Sequence, residues 1–107
     1  MQDQVLILGQ LIEKIMLGQA LALEESVKAD VILIGSFQCT VYANDIDLIL
    51  IYKIPDYEKI KELKKILARA VYEKFKILVH YTTLSKSEYE EMKDLQKEKN
   101  SILFIYK

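Results

Sequence analysis

The sequence predicts an α/β domain, a mixed sheet of about four strands with helices packed against it. Two observations lead there. Short β-branched runs, Val31-Ile32-Leu33-Ile34 and Ile46 to Tyr52, alternate with longer stretches whose apolar residues recur every three or four positions. The chain has 107 residues, enough for one core and little more, so 1–107 reads as a single domain.

Residues 2–28 carry Val5, Leu8, Leu11, Ile12, Ile15 and Met16 at helical spacing. Gly18 is a candidate break, with Leu21, Leu23 and Val27 extending a second piece toward Asp30. Val31 to Ile34, bounded by Gly35, has the character of a fully buried strand. Ile46 to Tyr52 is a second strand of the same kind, and Pro55 then stops pairing and can precede a helix. Tyr57, Ile60, Leu63, Leu67, Ala70 and Val71 set a helix over 56–73. Phe75 to Thr83 is rich in strand formers. Ser85 and Glu88 form a capping-box pair, and Leu84 and Tyr89 stand where a hydrophobic staple would place them, so a helix is expected over 86–97. Asn100 ends it, and Ser101 to Tyr106 makes a last strand.

About half of the residues are apolar, more than one modest core needs, which points to a partner surface. The net charge of −1 gives no global field toward nucleic acid. The basic run Lys59, Lys61, Lys64, Lys65 and Arg69 is interleaved with Glu58 and Glu62, the pattern of a solvated helix face. Cys39 is the only cysteine, so no internal disulfide forms. The N-terminus lacks a basic region before its apolar stretch, and no apolar run approaches the ~18 residues that span a membrane. A cytoplasmic protein is the expectation.

The chemistry concentrates between Ile34 and Tyr52. An apolar strand ends in Gly35-Ser36, and Asp45 and Asp47 open the next one. Residues two apart on a strand point to one side, so the two carboxylates stand together. Like charges held this close repel, and a divalent cation resolves the repulsion. Mg²⁺ takes carboxylate oxygens, with water or phosphate in its remaining positions. The plainer alternative stays open, because Asn44-Asp45 is also a common turn pair. Gly35 lets the backbone turn sharply and approach a ligand, and Ser36 offers a hydroxyl and an N–H where phosphate oxygens bind. Phosphate on one side and metal on the other describes a triphosphate site.

Gly35-Ser36 followed by Asp45-Ile46-Asp47 resembles the signature of the nucleotidyltransferase superfamily that includes DNA polymerase beta, and most of all its minimal single-domain prokaryotic members. The resemblance implies a nucleotidyltransferase-like fold and the transfer of AMP from ATP to an acceptor. It places Gly35 and Ser36 on the β and γ phosphates, and Asp45 and Asp47 on Mg²⁺. It also implies a helical, HEPN-type partner protein in a toxin–antitoxin pairing, and the apolar first helix offers a face for docking or for a homo-oligomer.

Two features depart from the family pattern. The loop Phe37-Gln38-Cys39-Thr40-Val41 lacks the usual Arg and Gly. The third carboxylate of active members falls at His80, or at Leu78 in a second placement. Histidine, with a pKa near ~6.5, can act as a base but is a poorer Mg²⁺ ligand than a carboxylate. His80 thus stands as a replacement base, as the mark of an inactive relative that still binds nucleotide or partner, or as a strand histidine without a role. Cys39 is expected to be a small buried hydrophobe; Tyr42 could stack on a base but is expected to pack in the core, and Lys53 could reach phosphate but is expected to be a solvated strand-end lysine.

Overall fold

A computed structural model describes residues 2–22, 28–40 and 42–106. Along the chain lie α1 (Gln2–Ala22), β1 (Ala29–Ile34), a 3-10 turn (Ser36–Gln38), β2 (Asp45–Tyr52), α2 (Tyr57–Phe75), β3 (Leu78–Ser85), α3 (Lys86–Glu91), α4 (Lys93–Lys97) and β4 (Asn100–Phe104). The strands form one sheet in the order β3-β2-β1-β4. β1 is antiparallel to both β2 and β4, and β2 is parallel to β3. The expected mixed α/β sheet of four strands is therefore present.

Side-chain alternation gives the sheet two unlike faces. Val31 and Leu33 of β1 and Ile46, Leu48 and Leu50 of β2 are buried with Leu8, Ile12 and Met16 of α1 and Ile60, Leu63, Leu67 and Val71 of α2. The opposite face buries Ile32, Ile49, Ile51 and Leu84, capped by Tyr89 and Leu95 from the two short helices. Asp45 and Asp47 alternate with Ile46 and Leu48, so both project from this second face.

Several boundaries differ from the sequence expectation, each for a local reason. Gly18 does not break α1, which runs on to Ala22; the packing of Leu8, Ile12 and Met16 outweighs the roughly 1 kcal/mol a helical glycine costs. Leu23 and Val27 lie outside the described residues. β1 begins at Ala29 because Asp30 is held at its start: Lys53 Nζ donates to Oδ2 at 2.9 Å, and the Tyr106 N–H donates to Oδ1 at 2.9 Å.

α2 is capped by Asp56, whose carboxylate accepts from the Lys59 N–H at 3.2 Å. It continues to Phe75, two residues beyond expectation, and Phe75 meets the buried Phe37 ring edge-on at 5.4 Å. Lys76, in the left-handed region at φ 60°, ends the helix, which delays β3 to Leu78.

The capping box at Ser85 and Glu88 forms in full, and Leu84 and Tyr89 pack in one cluster. The single helix expected over 86–97 is instead two, α3 and α4, divided at Met92. Tyr89 and Leu95 both turn to the sheet. Six residues apart, they would point about 120° away from one another on a continuous helix, and the break brings both inward.

Candidate functional site

The site lies where β1 ends and β2 and β3 begin, on the lightly covered face. Cα register pairs Ile34 with Asp47, Asp47 with His80, and Ile34 with Asn100. One row thus crosses the sheet as His80, Asp47, Ile34, Asn100. Asp45 stands one pleat outward, opposite Leu78. His80 Nε2 is 3.6 Å from Asp45 Oδ2, an ion-pair distance when the ring is protonated and too long for a good hydrogen bond. Both side chains are open to solvent.

Gly35 fixes the other wall. Its φ of 85° and ψ of −170° belong to a region that only glycine populates freely. A Cβ built there would stand 2.6 Å from Asp47 Oδ2, so the Asp47 carboxylate occupies the space that glycine leaves. The bend and the second aspartate of the signature are in contact, as one shared requirement. Ser36 follows, exposed, at the first position of the 3-10 turn, and its carbonyl accepts from the N–H groups of Cys39 and Thr40 at 2.9 and 3.0 Å.

Two glutamines fasten this turn. Gln4 of α1 donates through Nε2 to the carbonyls of Phe37 and Thr40. Gln38 donates to the carbonyls of Gly35, at 3.2 Å, and Lys99, at 2.9 Å, while its Oε1 accepts from the Ser101 hydroxyl at 2.8 Å. These contacts, with Phe37 buried under the turn, hold a loop that lacks the glycine of the resembled family.

Electrostatically, Asp47 is the stressed group. Its partial burial raises its carboxyl above the usual carboxylate range; the Asp45 charge adds to this, His80 opposes it, and Glu98 adds a little more. Glu98, at the end of α4, was not foreseen from the sequence. The segment Lys97-Glu98-Lys99-Asn100 becomes relevant only once β4 is known to run antiparallel to β1, which brings its start beside Gly35.

Among the described residues no three His, Cys, Asp or Glu side chains form a ready metal-binding group. Asp45 and Asp47 share one face of β2, Asp45 turned toward His80 and Asp47 toward Gly35, and their charges still act on one another; carboxylate oxygens of this kind are the donors Mg²⁺ takes. The imidazole of His80 suits that cation less well.

Asp45, Asp47, His80, Gly35 and Ser36 are all brought to this end of the sheet. Leu78, the second placement for the third acid, is on the same face and 64 % exposed. Two other expectations are corrected. Cys39 is exposed rather than buried, because Phe37 takes the inward position of the turn. Tyr42 is 87 % exposed and does not pack in the core. Lys53 is, as expected, an exposed lysine just past the end of β2, and it is also ion-paired with Asp30 at 2.9 Å.

Among the described residues no helix is long and apolar enough to cross a membrane. Comparison of the chain with known protein families, with curated proteins and with solved structures gives no match.

Proposed function

We propose that this protein is a Mg²⁺-dependent nucleotidyltransferase that moves AMP from ATP to an acceptor hydroxyl. The observation that carries this reading is the contact between the Gly35 bend and the Asp47 carboxylate, with Asp45 and His80 on the same solvent-open face. Under this reading Asp45 and Asp47 hold the cation, which when bound supplies positive charge against the α phosphate. Gly35 and Ser36 receive the β and γ phosphates through the backbone and the hydroxyl. The acceptor oxygen bonds to the α phosphorus as the bond to the pyrophosphate oxygen breaks, and pyrophosphate leaves. His80 takes the acceptor proton. The acceptor is a partner protein, all-helical as in the resembled family, in an antitoxin-like pairing. The exposed Leu6 and Leu17 of α1 are the apolar surface such a partner would meet.

A second reading rests on one observation: the position beside Asp47 on β3 is His80 rather than a carboxylate. The protein would then bind nucleotide or partner without turnover.

Incubation with Mg²⁺ and α-labelled ATP, with and without a candidate helical partner, separates the two. Transfer of label, lost in Asp47→Ala and shifted in its pH profile by His80→Gln, supports the enzyme. A Mg²⁺-dependent rise in Tm with ATP and no label supports the binder. Neither effect rejects both.

A further inference from the structure

The loop after Gly35-Ser36 lacks the arginine that a phosphate site of this kind would use, yet one cation is brought to it from elsewhere in the chain. Lys99 precedes β4, and its ammonium lies 3.7 Å from Cys39 Sγ, one turn beyond Ser36. The backbone of Lys99 is held beside the turn. The Lys99 carbonyl accepts from Gln38 Nε2 at 2.9 Å, and the same amide group is tied to Gly35 and to Ser101. Among the described residues the Lys99 ammonium has no carboxylate partner, although Glu98 adjoins it in the chain. Lys53, by contrast, is ion-paired with Asp30. An ammonium in contact with a thiol rather than a carboxylate retains its capacity for a strong anion.

The charges around the bend are therefore divided. Asp45 and Asp47 stand on the β2 side, where a cation is needed, and Lys99 stands on the β4 side, where an anion is needed. We propose that Lys99, clamped over the Gly35–Cys39 turn by Gln38, binds the terminal phosphate of a polyphosphate ligand and replaces the arginine missing from the loop. This rests on the triphosphate reading of the site but not on group transfer. It also assigns Gln38 as a positioning residue, one that acts through the place it gives Lys99.

The test compares wild type with Lys99→Gln and Lys99→Arg, using Mg²⁺ with inorganic tripolyphosphate, ATP and AMP as probes in titration calorimetry. Lys99→Gln is expected to weaken tripolyphosphate and ATP by about tenfold, to leave AMP unchanged, and to reduce the salt dependence of binding. Lys99→Arg should restore most of the loss. Unchanged affinity for ATP and tripolyphosphate in Lys99→Gln overturns the assignment even if labelled AMP is still transferred, and so does a wild type that binds no tripolyphosphate. Lys99-dependent tripolyphosphate binding without any AMP transfer sustains it while rejecting the transferase.

Discussion

The two faces of the sheet are made from the same strands and do different work. Beneath α1 and α2, the inward residues of β1 and β2 are buried except the partly buried Tyr52, and two helices of about twenty residues seal them. On the other face, two helices of six and five residues cover only the middle. One end of that face carries Asp45, Asp47 and His80. The other end leaves a cavity of about 230 Å³ beside Ile32, Ile51 and Tyr89, with Ile102 59 % exposed at its edge. Stability is thus concentrated on one side, which leaves the other free to hold charges near water at little cost to the core.

The largest expected effect tests that division directly. Leu67 is fully buried between α2 and the sheet, and Leu67→Ala should cost roughly 2–5 kcal/mol, read from urea unfolding. Ile102→Ala, on the open face, should cost less than about 1 kcal/mol. Equal losses at the two positions would show that the open face is sealed as firmly as the other.

Gly35→Ala sharpens the comparison at the boundary between scaffold and site. Alanine at φ 85° and ψ −170° is strained by about 1–3 kcal/mol. Its Cβ also expels the Asp47 carboxylate, the mobile end of a side chain, so the steric part disturbs the site more than the fold. The double variant Gly35→Ala with Asp47→Ala should recover little of the lost stability. Full recovery would place the cost in the clash rather than in the backbone.

The sealed face was the legible one. Its helices announce themselves by spacing, as at Ile60, Leu63, Leu67 and Val71, and its strands by unbroken β-branched runs. The pairing of Asp45 with Asp47 followed from strand period alone. What local pattern could not supply was register across distant segments. That His80 stands beside Asp47 depends on the parallel pairing of β2 with β3, and that Lys99 and Glu98 border the bend depends on β4 running antiparallel to β1. The break at Met92 was hidden for a related reason: it answers the packing of Tyr89 and Leu95 on the sheet, and no glycine or proline marks it. Cys39 was misplaced because the side chain that fills the core from that loop is Phe37.

The smallest effect concerns the charge the open face holds. Burial and the neighbouring Asp45 raise the Asp47 carboxyl above its ordinary value, so the folded state favours the protonated form more than the unfolded chain does. Ionised Asp47 therefore destabilises the fold above the unfolded carboxylate range, and the penalty fades as pH falls through the folded value. Asp47→Asn removes the charge and keeps the shape. It should raise stability at neutral pH by about 0.5 kcal/mol, a figure kept small because solvent screens this half-buried group. The gain should disappear near pH ~3, where the wild-type carboxyl is largely protonated. Urea midpoints for both proteins at the two pH values, in the presence of a chelator, measure this. Added Mg²⁺ should stabilise the wild type and not the variant, which turns the same experiment into an assay of cation binding. An Asn variant less stable than wild type at neutral pH would mean that Asp47 is a structural hydrogen-bond acceptor, its charge already satisfied within the protein and with nothing left to offer a metal.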